Sequence, residues 1–114
     1  MEYSLREIGD VTIVTASGEI DAATLPPLSV EVLKLLGRPR QRLIIDLSTV
    51  AFLDSTGLAL LVRATNQSRE NGGRLAVIGA DPVRLRVIWL THLDKFLPLH
   101  DSLEAALEQV QALD

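Results

Sequence analysis

The feature that most constrains this chain is a short, continuous apolar run, Leu43-Ile44-Ile45-Asp46-Leu47, followed by a polar break. A strand with one solvated face alternates apolar and polar residues, whereas a nearly unbroken apolar run is typical of a strand that is buried on both faces. Such a strand lies in the centre of a sheet, and helices must cover that sheet. The run therefore predicts an α/β fold.

The rest of the 114 residues alternates between strand-like and helix-like segments. We predict strands over 3–8, 43–47, 74–79 and 95–99, a further strand that starts at 11 and is ended by the segment 18–21, and helices over 25–36, 55–70, 83–90 and 103–113. Thr24, Asp81 and Asp101 are the predicted N-caps of the first, third and last helices. This order predicts a single domain over residues 1–114, with a mixed, mainly parallel sheet that begins with an antiparallel hairpin and is covered by about four helices.

Composition and charge exclude several classes of function. Eleven basic and fifteen acidic residues give a net charge of −4, which disfavours nucleic-acid binding, and the basic cluster Arg38, Arg40 and Arg42 fits a solvated loop. The chain has no cysteine, which excludes disulfides and thiol chemistry, and His92 and His100 lack the spacing of metal ligands. No apolar run approaches the roughly 20 residues of a membrane span, and no signal peptide starts the sequence. We expect a soluble, cytoplasmic protein.

The most informative chemistry lies in the pentapeptide Asp54-Ser55-Thr56-Gly57-Leu58, at the start of the second predicted helix. A side-chain oxygen of Asp, Ser or Thr at a helix start accepts a hydrogen bond from an otherwise unpaired backbone N–H group. The same position suits a serine that receives a phosphoryl group, because the helix N-terminus favours negative charge. Spacing alone favours capping by Asp54, Ser55 or Thr56, and it also allows Ser55 to cap the helix while awaiting phosphorylation.

A polar stripe extends from Ser55 along this helix. At about 100° per residue, Ser55, Ala59 and Arg63 lie in line, with Ser55 at the exposed end. The small Ala59 leaves room for another protein to approach the hydroxyl. A phosphoryl group would add about −1.5 to −2 charges near Asp54 and Asp21, and the repulsion would abolish an interaction while the fold stayed intact.

Enzymatic alternatives lack essential groups. An aspartic protease needs its glycine one residue earlier than Gly57, and a response regulator needs an acidic pair and a suitably placed lysine, neither of which the chain offers. The pair Gly72-Gly73 has no Gly-Lys-Ser continuation to hold phosphate, and no histidine is placed as the base of a serine hydrolase. We expect no intrinsic enzymatic activity.

Several segments together resemble the STAS family, specifically the bacterial anti-sigma factor antagonists. The resemblance spans nearly the whole chain and rests most heavily on residues 52–58, Phe-Leu-Asp-Ser-Thr-Gly-Leu, which are similar to the phosphorylation motif of the family. Further similar segments follow the family order: 18–21 (Gly-Glu-Ile-Asp), 43–48 (Leu-Ile-Ile-Asp-Leu-Ser), 72–77 (Gly-Gly-Arg-Leu-Ala-Val), 93–96 (Leu-Asp-Lys-Phe) and 101–107 (Asp-Ser-Leu-Glu-Ala-Ala-Leu).

The resemblance implies that Ser55 is phosphorylated by an anti-sigma factor serine kinase. The unphosphorylated protein would bind this kinase-type anti-sigma factor and release the sigma factor, and a phosphoserine phosphatase would restore the serine. ATP would belong to the kinase, so no cofactor is assigned to this chain. The alternative is a STAS adaptor in a signalling or transport complex, without phosphorylation of Ser55. The expected partner-binding residues are Asp21, Asp54, Thr56, Gly57, Ala59 and Arg63.

Two positions depart from the family pattern. Ala59 stands where glycine is frequent, which narrows the choice of partner. Thr91-His92-Leu93 stands where Ser-Gly-Leu is common. If that glycine ends a helix in the left-handed conformation, His92 must adopt a positive φ at some energetic cost.

Overall fold

A five-stranded sheet organises the structure, a computed structural model that describes residues 1–112. The strands lie in chain order across the sheet: β1 (Glu2–Ile8), β2 (Val11–Ile20), β3 (Arg42–Leu53), β4 (Arg74–Ile78) and β5 (Leu99–His100). The strands β1 and β2 form an antiparallel hairpin, and every other neighbouring pair is parallel. The predicted fold class, a mixed and mainly parallel sheet with an N-terminal hairpin, is confirmed.

Helices cover both faces of this sheet. They are α1 (Leu25–Leu36), α2 (Ser55–Glu70), α3 (Val87–Leu90) and α4 (Leu103–Gln111). The first three helices share one hydrophobic core with Val14 and Ile45 of the sheet. On the opposite face, α4 contributes Ala106 and Val110 to a second core with Ile44. The predicted last helix, over 103–113, also included Leu113, which lies outside the described residues.

The central strand β3 explains the apolar run. Leu43 and Ile45 face one core and Ile44 faces the other, so three successive side chains are buried. The strand does not end at Leu47, as predicted, but continues to Leu53. The polar break is accommodated because the Asp46 carboxylate accepts both the N–H group of Ser48 at 2.9 Å and its hydroxyl at 2.6 Å.

The two halves of β3 have different neighbours. Residues Arg42–Asp46 pair with β2 and β4, but beyond them only β2 continues, because β4 ends at Ile78. The Arg84 guanidinium occupies the side that β4 leaves open, where Nε donates to the Val50 carbonyl at 2.6 Å and Nη2 donates to the Leu47 carbonyl at 3.0 Å. Arg84 therefore pairs backbone acceptors that no strand reaches, and it fixes the half of β3 that leads to the pentapeptide.

The connection from β4 to α3 is less regular than predicted. Regular helix extends only over Val87–Leu90 instead of 83–90. The turns before it follow Asp81, whose carboxylate accepts the N–H groups of Val83 at 2.7 Å and Arg84 at 3.1 Å. Asp81 therefore caps the chain that follows it, as predicted, but what it caps is a turn and not the start of a regular helix.

The last strand is shorter than predicted and begins later. Leu93–Lys95 forms a 3-10 helix, and the N–H group of Leu97 donates to the Leu93 carbonyl at 2.9 Å, so this segment turns instead of extending. Only Leu99–His100 pairs with β4 as β5. The predicted strand over 95–99 is therefore wrong for all but its last residue.

Two predicted caps need correction. Thr24 occupies the N-cap position of α1, but its hydroxyl donates to the Glu19 carbonyl at 2.8 Å and caps no helix amide. The reason is visible in the sequence, because a capping oxygen accepts from the second or third helical N–H group, and Pro26 and Pro27 have none. In α4 the cap is Ser102, which accepts the third helical N–H group at 3.1 Å, and not Asp101.

The basic cluster is divided between a loop and a strand. Arg38 and Arg40 are exposed in the loop after α1. Arg42 begins β3 and forms an ion pair with Asp10 at 3.3 Å. The prediction of a solvated loop is therefore confirmed for Arg38 and Arg40 and wrong for Arg42, which belongs to the strand.

His92 has φ 62° and ψ 16°, directly after the C-cap of α3, so the expected positive φ is confirmed. This conformation costs a residue with a Cβ roughly 1–2 kcal/mol, whereas glycine adopts it freely but loses about 0.4–1 kcal/mol through greater freedom of the unfolded chain. We expect His92→Gly to raise the free energy of unfolding by about 0.5–1 kcal/mol in urea denaturation. His92→Ala keeps the strain and is the matched control; equal stability of the two variants would contradict this explanation.

Candidate functional site

The carboxyl ends of β2 and β3 lie side by side and bring two aspartates together. Ile20 and Leu53 are partners in this parallel pair, so Asp21 and Asp54 follow neighbouring strand ends. The backbone N–H group of Asp54 donates to the Ile20 carbonyl at 3.1 Å. The Asp21 carboxylate accepts two N–H groups of the turn that leads into α1, each at 3.0 Å. Each aspartate therefore organises the chain that follows its own strand.

Asp54 is the N-cap of α2. One carboxylate oxygen, Oδ1, accepts the N–H groups of Thr56 at 2.9 Å and of Gly57 at 3.1 Å, and also the Thr56 hydroxyl at 2.6 Å. A capping residue has extended backbone, which Asp54 has, whereas Ser55 is already the first helical residue. The expectation that Ser55 can cap the helix is therefore wrong.

These hydrogen bonds favour the ionised form of Asp54. The Thr56 hydroxyl contributes most to holding the pKa of this carboxyl below its ordinary value of 3.8; desolvation opposes the shift, and the N–H groups of Gly57, Thr56 and Ala22 support it. Because the folded-state pKa is lowered, the contribution of the carboxylate to stability is present above the unfolded pKa and is lost as pH falls through the folded pKa.

Removing the Thr56 hydroxyl tests this cause. We expect Thr56→Val to raise the pKa of Asp54 towards 3.8, measured by NMR titration of the side-chain carboxyl carbon. The variant should also lose less stability than the wild type when the pH falls below 3.8, because less of its stability depends on an ionised Asp54. Ser55→Ala is the control and should leave the titration unchanged. A shift of the same size in that control would assign the effect to general disturbance of the helix end.

Ser55 presents its hydroxyl to solvent in the first turn of α2. The side chain is exposed, and within residues 1–112 its hydroxyl makes no hydrogen bond. Ala59 and Arg63 are also exposed and continue the stripe predicted from the helical spacing. Over the same described range, Arg63 forms no ion pair. A protein that approaches this stripe can reach the Ser55 hydroxyl without displacing any contact.

Gly57 lies below this surface and serves packing. A Cβ atom there would lie 2.9 Å from Cγ2 of Ile20 and would contact Cδ1 of Leu53 even more closely. Both neighbours are buried. The absent side chain allows α2 to begin directly on the ends of β2 and β3, and so determines where Ser55 is presented.

Two surface grooves reach the start of α2, where Ser55 lies. The first has a volume of about 350 Å³, lies between α1 and the start of α2, and includes Pro26, Val30 and Thr56 in its lining. The second has a volume of about 560 Å³, lies between the end of β3 and the segment 83–90, and includes Asp54 in its lining. Asp54 lines one groove and Thr56 the other, and these two residues are the chain neighbours of Ser55.

The grooves carry exposed apolar side chains that sequence reasoning did not assign to the site. Val30 is 67% exposed, and in the second groove Phe52, Val83 and Leu90 are 47%, 86% and 74% exposed. The sequence indicated these exposed side chains only through segment 83–90, which holds more apolar residues than one helical face can bury. Apolar groups clustered in this way mark interaction sites more often than scattered ones do.

The site offers the hydroxyls of Ser55 and Thr56 and the carboxylates of Asp21 and Asp54. Among residues 1–112, no three His, Asp or Glu side chains converge to hold a metal ion. Over the same residues, no helix has the length and apolar character needed to cross a membrane.

Comparison with known proteins identifies the family. Residues 2–106 match the model of the STAS domain. The chain belongs to the STAS family. The matched range includes the whole sheet and the start of α2, so the predicted resemblance is confirmed for the part of the chain that carries the candidate site.

Relatives of this STAS chain include proteins that are named as anti-sigma factor antagonists. The anti-sigma-F factor antagonist RsfB of Mycobacterium tuberculosis is 34% identical over 101 residues, which are 89% of this chain and 82% of the relative. The crystal structure of an anti-sigma factor antagonist from Mycobacterium paratuberculosis has a TM-score of 0.83 at 34% identity and covers 97% of this chain and 94% of that one. The Bacillus cell fate determinant SpoIIAA in its phosphorylated form has the same fold, with a TM-score of 0.71 at 17% identity and coverage of 96% and 99%.

Proposed function

We propose that this STAS protein is an anti-sigma factor antagonist that is switched by phosphorylation of Ser55. The unphosphorylated protein binds a kinase-type anti-sigma factor, and the sigma factor is thereby released. The kinase transfers a phosphoryl group to Ser55, which ends the interaction, and a phosphoserine phosphatase reverses the modification. Two relatives with 34% identity are named as antagonists, which supports the first step.

One observation carries the proposal: the Ser55 hydroxyl is exposed and unbonded within the described residues, and its chain neighbours Asp54 and Thr56 line two grooves with exposed apolar side chains. Four of the five large apolar side chains that are exposed in the described structure line these grooves, and the fifth is Leu5 on β1. Removal of such groups from water is the dominant favourable term in most protein–protein association. A partner that covers both grooves also covers Ser55.

The proposed partner-binding residues divide by their position. Ser55, Ala59 and Arg63 form the exposed stripe, and the half-buried Asp21 and Asp54 flank its beginning. The half-buried Thr56 and the buried Gly57 complete the set. The residues of the stripe and the two aspartates can contact a partner directly, as can Thr56, which lines the first groove. Gly57 acts through the position of α2.

The role of Asp54 as the cap determines what a phosphate on Ser55 can do. Of the N–H groups that a phosphate could use at the start of α2, those of Thr56 and Gly57 are already bonded to Asp54. The phosphate therefore remains at the surface and adds about −1.5 to −2 charges beside Asp54 and Asp21. Arg63 lies about 12 Å along the helix axis, beyond the Debye length of about 8 Å, so it compensates little of this charge.

Modification should change the surface and leave the fold unchanged. Ser55 contributes nothing to either hydrophobic core. An anion near the first turn of a helix is also favoured by the helix dipole. The chain thus acts by binding, and the kinase supplies the ATP and the catalytic groups.

The experiment is incubation with the kinase-type anti-sigma factor and ATP, followed by mass spectrometry of the tryptic peptides. We expect a single phosphate on Ser55 and none in Ser55→Ala. Ser102 is an internal control, because it also starts a helix but its hydroxyl oxygen accepts the Ala105 N–H group on the other face of the sheet. Stable binding to the kinase without any phosphate on Ser55 would favour the adaptor alternative.

A further inference from the structure

Two adjacent hydroxyl groups begin α2, and their surroundings differ. The Ser55 hydroxyl is exposed and makes no hydrogen bond within the described residues. The Thr56 hydroxyl belongs to a half-buried side chain and donates to Oδ1 of Asp54 at 2.6 Å. A distance of 2.5–2.7 Å is typical of a hydroxyl bonded to a carboxylate, which is roughly twice as strong as a neutral hydrogen bond. The two hydroxyls are therefore not equivalent as acceptors of a phosphoryl group.

We propose that Asp54 selects the phosphoacceptor, because it withholds the Thr56 hydroxyl and leaves that of Ser55 to be presented to the kinase. This inference rests on the proposed function. It gives Asp54 a second role besides capping: it is a residue that determines the specificity of the modification. The kinase therefore modifies Ser55, whose hydroxyl Asp54 leaves free, and not Thr56, whose hydroxyl Asp54 binds.

The chemistry of phosphoryl transfer explains why the hydrogen bond matters. A bond forms between the acceptor oxygen and the γ-phosphorus of ATP while the bond from that phosphorus to the β–γ bridging oxygen breaks, ADP leaves, and the hydroxyl proton passes to a base of the kinase. The hydroxyl must therefore turn its oxygen towards phosphorus and its proton towards that base. Ser55 can rotate to do so, whereas the Thr56 proton points at Asp54.

Asp54 is held in place and does not serve Thr56 as a base. Its Oδ1 accepts three hydrogen bonds, two of them from backbone N–H groups at the fixed start of α2. These bonds stabilise the ionised carboxylate, so that it is a poor proton acceptor. Because the backbone fixes its position, the carboxylate cannot follow the Thr56 side chain out of the helix end.

The test uses the kinase-type anti-sigma factor and ATP, with the position of the phosphate read by fragmentation mass spectrometry. In Ser55→Ala we expect Thr56 to remain unmodified over times in which wild-type Ser55 is fully phosphorylated. In the double variant Ser55→Ala/Asp54→Ala we expect the rate at Thr56 to rise at least tenfold over Ser55→Ala, and Ser55→Ala/Asp54→Asn, which keeps a cap but lacks the charge, should be intermediate. Ser55→Ala/Asp81→Ala removes another capping carboxylate and should give no increase.

Two results would overturn the inference. One is modification of Thr56 in Ser55→Ala at the wild-type Ser55 rate. The other is a double variant that binds the kinase within about threefold of Ser55→Ala yet shows no gain at Thr56.

A second measurement needs no kinase. Exchange of the Thr56 hydroxyl proton with water, followed by NMR, should be at least tenfold slower in Ser55→Ala than in Ser55→Ala/Asp54→Ala. Equal exchange rates would refute the proposal that Asp54 withholds the Thr56 hydroxyl, even if the double variant no longer binds the kinase. Absence of phosphate from wild-type Ser55 would instead refute the proposed function, and the exchange measurement separates these two failures.

Discussion

Ser55→Asp is expected to weaken binding of the kinase-type anti-sigma factor by about 100-fold, equivalent to about 2.7 kcal/mol. The new carboxylate lies beside Asp54 and Asp21 at a surface that the partner must desolvate, and like charges brought together at an interface cost several kcal/mol. The fold should tolerate the change, because the side chain is exposed and a negative charge suits the first turn of a helix. Isothermal titration calorimetry measures the loss directly.

Two controls make this prediction specific. Ser55→Ala removes the hydroxyl without adding charge and should bind within about threefold of the wild type, which is about 0.7 kcal/mol. Ser102→Asp adds the same charge at the start of α4, at a position where aspartate is also a good cap, on the opposite face of the sheet. If Ser102→Asp weakened binding as much as Ser55→Asp, the effect would come from net charge and not from this site.

The largest expected effect on stability is that of Gly79→Ala, which should lower the free energy of unfolding by about 1.5–4 kcal/mol. Gly79 has φ +79°, and a Cβ atom there would lie 2.6 Å from the Cα atom of Ser48 and would also meet its backbone nitrogen. The positive φ costs roughly 1–2 kcal/mol, of which the lower freedom of the unfolded alanine chain offsets about 0.4–1 kcal/mol, and forced overlap in a packed region typically adds about 1–3 kcal/mol. Because the obstructing atoms belong to β3 itself, no side-chain rotation relieves the overlap.

Gly72→Ala separates these two causes. Gly72 also has a positive φ, +67°, but no atom lies within 4 Å of the position that a Cβ would take, so only the backbone term applies. We expect a net loss of about 0.5–1 kcal/mol there, because the lower freedom of the unfolded alanine chain offsets part of the cost of the positive φ; both variants are measured by urea denaturation. If both alanine variants were equally stable, close approach of the chain at Gly79 would not be what requires glycine.

The sequence predicted α2 well because both of its ends carry strong local signals. Asp54 accepts the first free N–H groups, and Asn71-Gly72 ends the helix with a positive φ. The bounds 55–70 are therefore confirmed at both ends. Where local signals conflicted, prediction failed: the polar residues Asp46 and Ser48 interrupt the apolar pattern of β3 but satisfy each other, so the strand continues.

The sequence predicted which residues of the site are exposed, but not which hydrogen bonds they make. Helical spacing alone placed Ser55, Ala59 and Arg63 on an exposed stripe, which is confirmed. It could not decide which of three adjacent oxygens caps the helix, because Asp, Ser and Thr are all good caps and the choice depends on where the extended backbone of β3 ends. The role of Ser55 as phosphoacceptor stays a prediction.

The exposed apolar groups depended on tertiary structure. Phe52 lies in a strand whose partner on one side has already ended, and Val83 lies in a turn, where helical periodicity does not apply. A pattern of apolar residues shows that a segment must be buried, but not whether the protein itself or another molecule buries it. Only the placement of the segments around the end of β3 distinguishes these cases.

The carbonyl groups held by Arg84 have one more consequence, which concerns aggregation. A strand side that no neighbour covers is a template on which a second molecule can add a strand. Arg84 occupies two of these acceptors, Leu47 and Val50, with donors that carry a charge. A foreign strand would have to displace a cation, so this side chain protects the molecule from self-assembly where its own sheet is incomplete.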